Sequence, residues 1–264
     1  AAIWRKRGTT GHSRIDTARK RHLTMGCCNT ATIFVHWPKR RKLREAGLAG
    51  ENNQKDGEEK RYFDKAYDLK TTDETKQHYA QWAEVYDLEI GEEKGYRQPD
   101  RCARALGAAG LETDAPVLDV GCGTGLSGKA LAAAGYETID GCDLSPEMLS
   151  KAKATGVYRR LFEADLNHPP LDAPDGHYGA AACVGVFSFG HVQPDAIDDI
   201  LRVLRRGGYL VIGLNDHYFE EGSFPAKLAA LEKTGALTLV SKEHGAHLEN
   251  VEGSTGWVFV HRKR

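Results

Sequence analysis

Asp119-Val120-Gly121-Cys122-Gly123-Thr124-Gly125 is the stretch of this 264-residue chain whose residue types and spacing point most directly to chemistry. It follows an apolar run, Pro116 to Val120, and leads into an Ala/Leu-rich segment, so it reads as a strand-to-helix turn. Glycines there let the backbone approach a ligand closely, and the helix start beyond them offers unpaired N–H groups. Two more carboxylates recur at equivalent places: Asp143 at the end of the second apolar run and Asp165 after the third. Asp143 is placed to accept hydrogen bonds from ribose hydroxyls, and Asp165 to read an adenine amino group. Asp119 lies where it could face a cationic ligand group. Three carboxylates around one pocket suit a ligand carrying an amine and a sulfonium, and would repel a pyrophosphate. Gly123-Thr124-Gly125-Leu126-Ser127-Gly128 also satisfies G-x-G-x-x-G, so a dinucleotide stays open at this level.

A second reactant would sit at the exit of the fourth apolar run, Val186-Phe187-Ser188-Phe189-Gly190-His191-Val192, where His191 is a candidate general base. Asn215-Asp216-His217-Tyr218 follows the fifth run; Asn215 and Tyr218, with Phe187 and Phe189, form a lining suited to a small or semi-apolar molecule. His244-Gly245-Ala246-His247 reads as a loop with no metal-ligand arrangement, and no metal is expected. The chain has no G-x-S-x-G and no tyrosine followed four residues later by lysine, so esterase and Tyr–Lys reductase chemistry lack support.

The elements that must position these residues alternate between helix and strand. Tyr79, Trp82, Ala83 and Tyr86 at i, i+3, i+4, i+7 predict a helix over 73–88. Strands are expected at 116–120, 136–142, 157–163, 179–187 and 209–214. Helices are expected at 126–134, from Ser145-Pro146-Glu147 onward, at 195–206 and at 225–234. Near-continuous apolar strands separated by helices argue for a mostly parallel sheet covered on both faces. Two last strands, near 236–242 and 255–262, are too close in sequence for a helical crossover and should pair antiparallel.

Composition bounds the rest. A hydrophobic fraction of 41% and a charged fraction of 28% are ordinary for a globular protein, and no 18-residue apolar run is present. The net charge of -1 hides a split: residues 1–50 carry 12 Lys or Arg against two acids, leaving 24 basic and 35 acidic side chains in 51–264. Residues 1–55 are expected to be a basic, disordered extension, with 56–100 a helical cap and 101–264 the core. The acidic body disfavours nucleic acid. Six scattered cysteines with no CxxC pair point to a reducing, cytoplasmic setting. Met25-Gly26-Cys27-Cys28-Asn29-Thr30 fits an N-myristoylation pattern that would act only if Met25 were the initiator.

On these residues the chain resembles the class I S-adenosylmethionine-dependent methyltransferases. The matching motifs are Val117–Gly125, Thr138–Ala152 around Asp143-Leu144-Ser145-Pro146-Glu147-Met148-Leu149, and Glu163-Ala164-Asp165. Pro174-Asp175-Gly176 with the strand after it, and Arg205 to Ile212, match as well. The segment Tyr79 to Asp87 looks like the leading helix of the Williams–Beuren-region methyltransferase-like proteins. The resemblance implies a Rossmann-like α/β fold whose seven strands run 3-2-1-4-5-7-6 with strand 7 antiparallel. It implies S-adenosyl-L-methionine as cofactor and contacts from Asp119, Gly121, Cys122, Gly123, Gly125, Asp143, Leu144, Met148, Ala164, Asp165, Leu166 and Val184. Tyr79 and Tyr86 would fold over it. The expected reaction is in-line methyl displacement onto a small-molecule acceptor, by a monomer or a dimer. The alternatives are an NAD-dependent oxidoreductase and a non-catalytic cofactor-binding protein.

Overall fold

The computed structural model describes Tyr62, Lys65, Leu69, 71–188 and 192–264. The basic extension and its Met25 motif lie outside the described residues, as do Phe189 and His191. Seven strands form one sheet in the order β3-β2-β1-β4-β5-β7-β6. They are β1 (Val117–Val120), β2 (Ile139–Asp143), β3 (Arg160–Glu163), β4 (Tyr178–Val184), β5 (Leu204–Asn215), β6 (Leu237–Ala246) and β7 (Thr255–Lys263). The first five pair parallel, and β7 runs antiparallel to both β5 and β6. The helices are α1 (Thr72–Trp82), α2 (Gln98–Ala108), α3 (Leu126–Ala133), α4 (Pro146–Ala154), α5 (Ala196–Val203), α6 (Asp216–Glu221) and α7 (Ser223–Lys233).

Alternation along β1 splits its side chains between two cores. Leu118 and Val120 pack with Cys183 of β4, with Ile197, Ile200 and Leu201 of α5, and with Phe224 of α7. Val117 faces the other way, with Ile139, Ala180 and Ala182, and meets Leu106 of α2 and Leu131 of α3. Strands buried on both faces are why β1 and β4 read as unbroken apolar runs. A third, smaller cluster of Trp82, Ile90 and Leu248, with Tyr79, Tyr86 and Tyr96 against it, stands apart from these two.

Several boundaries differ from those expected. The helix over 73–88 ends at Trp82, and a π-helical segment, Asp87–Glu93, follows. The buried Trp82 indole N–H at the end of α1 donates to Glu89 of this segment at 2.9 Å. The strand expected through Phe187 stops at Val184, because Gly185 turns the chain at φ +70°. Leu204 already pairs with Tyr178, so α5 is shorter and β5 longer than the apolar pattern suggests.

His244-Gly245-Ala246 is strand rather than loop. It extends β6, an exposed edge strand with no apolar alternation to betray it. Arg101 holds this end by donating to Glu243 at 2.9 Å and to the Ala246 carbonyl at 3.0 Å. His247, just beyond, is buried against Tyr96, and burial pushes its imidazole down to about 4. Cys102, Cys122, Cys142 and Cys183 are buried free thiols; burial pushes Cys142 up to about 12. No helix among the described residues is long and apolar enough to cross a membrane.

Candidate functional site

The ends of β1, β2 and β4 open into a cavity. Open α/β sheets place ligands at this edge. The floor starts at the glycine loop. Gly121 has φ +63°, and a Cβ on it would lie 2.7 Å from Val186 Cγ2, so no larger residue fits. Gly123, at φ +54°, has open space where its side chain would be.

Asp143 ties this loop to β2. One of its carboxylate oxygens accepts from the Gly123 N–H at 2.8 Å and the other from the Ser145 N–H at 3.0 Å. An ionised carboxylate has about four lone-pair sites, so the group keeps acceptor capacity on the side of the cavity it lines. Burial pushes Asp143 above the usual carboxylate range, while the N–H bonds from Ser145 and Gly123 pull it back. Ser145 caps α4 by accepting from the Met148 N–H at 3.2 Å, which sets Met148 against the cavity. Asp165 accepts from the Asn167 N–H at 2.9 Å and meets His168 Nδ1 at 2.7 Å.

The upper wall comes from α1 and the segment after it, with Thr75, Lys76, Tyr79 and Tyr86 lining the cavity. Polar ties fasten this wall to the rim. Lys76 pairs with Glu163, Lys151 with Glu84 at 2.9 Å, and Asp87 with Lys129 at 3.3 Å. Asp87 also accepts from the Thr124 hydroxyl, so the π-helical segment holds the glycine loop directly.

A methyltransferase domain model matches residues 118–212, which contain the glycine loop, Asp143 and Asp165. The chain is 38% identical over 136 residues to human methyltransferase-like protein 27, covering 51% of this chain and 55% of that protein. It is 30% identical over 188 residues to a Streptomyces fradiae dTDP-3-amino-3,6-dideoxy-α-D-glucopyranose N,N-dimethyltransferase, covering 68% of this chain and 69% of that one. The chain belongs to the class I S-adenosylmethionine-dependent methyltransferases. It spans about half the length of the human relative. A shorter match, 46% identical over 63 residues (24% of this chain and 21% of that one), is to the Saccharomyces cerevisiae 18S rRNA (guanine(1575)-N(7))-methyltransferase. The fold is shared with a TehB-like S-adenosylmethionine-dependent methyltransferase of Corynebacterium glutamicum, at TM-score 0.51, 23% identity, and 71% and 99% coverage.

S-adenosylmethionine is this methyltransferase's cofactor, and the cavity gathers most of the residues expected to hold it. Gly121, Gly123, Asp143, Leu144 and Met148 line it, as do Ala164, Asp165, Leu166 and Val184 opposite Tyr79 and Tyr86. Three expected contacts are placed elsewhere. Asp119 is fully buried on the Val117 face of β1, beneath α3, so strand alternation turns its carboxylate away from the cavity. Cys122 packs inward behind the loop, and Gly125 supplies a left-handed turn at φ +95° that starts α3.

The described part of the acceptor lining also lies elsewhere. Phe187 is core, its ring 4.1 Å from that of Phe224, and Tyr218 is buried beside the same ring. Asn215 caps α6 by accepting from the Tyr218 N–H at 2.8 Å. Asn215→Ala should therefore cost about 1 kcal/mol of stability, read from the denaturant midpoint, and leave cofactor affinity unchanged. The sequence reading missed Thr75 and Lys76. They stand one turn before Tyr79, and the i, i+3, i+4 rule that found Tyr79 and Tyr86 also reaches them.

Proposed function

We propose that this methyltransferase moves the methyl group of S-adenosylmethionine by in-line displacement onto a small-molecule acceptor, with the cofactor held in the cavity at the ends of β1, β2 and β4. The observation that carries the reading is Asp143, a carboxylate fixed by two backbone N–H groups and lining that cavity. Asp143 would accept from the ribose hydroxyls, Asp165 from the adenine amino group, and Leu144, Ala164 and Leu166 would flank the base. Gly121 and Gly123 admit close backbone approach, and Tyr79 and Tyr86 cover the opposite side.

When bound, the cofactor supplies an electrophilic methyl on a sulfonium. The chain's own task is to hold that centre and an acceptor in line and to exclude water. Orientation of this kind contributes several kcal/mol. An acceptor amine already carrying a lone pair needs no base. An acceptor that stays protonated until transfer would need one, and His191 is the candidate.

A small acceptor is supported by the covered cavity and by the acidic composition of 51–264. The S. fradiae relative, whose name gives an amino-sugar nucleotide as its substrate, points the same way. The yeast relative favours a second reading, an RNA acceptor. Methyl-labelled cofactor offered to a panel of small amines, amino sugars, phenols and total RNA decides between them. Label should enter the small-molecule fraction. Label in RNA alone, lost at raised salt, would overturn the small-acceptor reading.

A further inference from the structure

Three glycines of the cofactor edge make room for one side chain. Gly128 sits inside α3, where glycine is about 1 kcal/mol worse than alanine. A Cβ on it would overlap the Tyr158 ring and hydroxyl. A Cβ on Gly141 of β2 would lie 2.9 Å from the same ring, and one on Gly125 would lie 3.2 Å from it. The ring is thus wedged between β2 and the start of α3, under the glycine loop. Its hydroxyl donates to one oxygen of Asp119 at 2.7 Å, and the Ser127 hydroxyl of α3 donates to that same oxygen at 2.7 Å. The second Asp119 oxygen is buried without a hydrogen-bond partner. Tyr158 does not line the cavity, yet it separates the two parts that meet there: β2 bearing Asp143, and the loop bearing Gly123.

We propose that Tyr158 is a positioning residue of the cofactor site, its ring setting the distance between the glycine loop and β2 and its hydroxyl fixing the Asp119 carboxylate behind that loop. The proposal rests on the cavity being where the cofactor binds. It also assigns the third glycine of the G-x-G-x-x-G pattern, Gly128, which here makes room for a tyrosine ring between helix and strand.

A pH signature separates this from simple packing. Desolvation pushes Asp119 up to about 7, the Tyr158 and Ser127 hydroxyls hold it down, and Asp143 is the charged group that adds to the rise. The thiols of Cys102, Cys122, Cys142 and Cys183 around it stay neutral, pushed up by burial. Ionisation of Asp119 places a negative charge behind a site that takes a cationic ligand, so affinity should rise with pH across that group's titration. Removing a donor to the ionised form moves this rise to higher pH.

The test is calorimetric titration of S-adenosylmethionine into the full chain between pH 6 and 9. Tyr158→Phe should weaken binding about tenfold at neutral pH and move the midpoint upward. Gly128→Ala, which improves the helix but displaces the ring, should weaken binding at least as much and gives a second route should Tyr158→Phe fold poorly. Tyr178→Phe is the control. Its hydroxyl donates to buried Asp140 at 2.9 Å away from the cavity, so it should leave affinity and midpoint unchanged. Wild-type affinity and midpoint in both Tyr158→Phe and Gly128→Ala would overturn the proposal, as would an equal loss in Tyr178→Phe. If Asp143→Ala binds normally, the cofactor reading of the cavity fails and the proposal falls with it, whatever Tyr158→Phe does.

Discussion

Asp143→Ala should raise the dissociation constant for S-adenosylmethionine by about a hundredfold or more, the sum of two lost charge-assisted hydrogen bonds at roughly 1.5–3 kcal/mol each. Two effects act together. The ligand loses its acceptor, and the Gly123 and Ser145 N–H groups lose the partner that holds the loop against β2. Asp143→Asn separates them, because its amide oxygen keeps one acceptor while the charge goes. It should fall between wild type and Asp143→Ala. Acid should mimic the deletion: burial raises the Asp143 carboxyl above its ordinary range, so affinity falls as pH drops through that raised value. Isothermal calorimetry of the three proteins across pH measures all of this. Equal affinity for wild type and Asp143→Ala would mean that the cofactor lies elsewhere.

Phe187→Ala should act on stability instead of on the reaction. The ring is 1% exposed and packs 4.1 Å, centroid to centroid, from Phe224 in the core beneath α5 and α7. Truncating a core phenylalanine costs about 3–5 kcal/mol, through lost transfer free energy and the cavity left behind. The denaturant midpoint should drop accordingly, and Phe187→Leu should recover much of the loss. Below the unfolding transition, KM for cofactor and acceptor should be those of the wild type. A raised acceptor KM with unchanged stability would instead put the ring back in the reaction site.

These two residues show what the sequence could and could not disclose. The place of Asp143 at the cavity was readable because a carboxylate ending a buried apolar run, beside a glycine turn on the neighbouring strand, falls at the carboxyl edge of the sheet. The central strands were readable for a similar reason, since burial on both faces leaves unbroken apolar runs; the sheet order followed only from the resemblance to the methyltransferase family. Phe187 was not readable, since an aromatic residue after a strand looks the same whether it faces a pocket or the core. Asp119 was within reach. Strand alternation puts it on the same face as Val117, opposite Leu118 and Val120, and that face meets α3. The end of β6 beyond Lys242 and the π-helical segment lacked any periodic signal, because backbone pairing holds the one, and side-chain bonds such as Trp82–Glu89 and Thr124–Asp87 tie down the other.

The separate small cluster of Trp82, Ile90 and Leu248 gives the cavity two walls held by different means. One is anchored in the main cores, and its loss is global unfolding. The other carries Tyr79 and Tyr86 and rests on its own few apolar contacts, on the Trp82–Glu89 and Thr124–Asp87 hydrogen bonds, and on ion pairs open to solvent, each such pair worth roughly 0–1 kcal/mol. That wall is expected to open at a fraction of the free energy that holds the sheet together, which hydrogen exchange of its backbone amides would measure. If the cofactor is held there as proposed, its residence time is expected to follow the opening of the cap and not the stability of the fold. Ionic strength, which weakens exposed ion pairs and leaves a buried sheet alone, becomes a control on exchange.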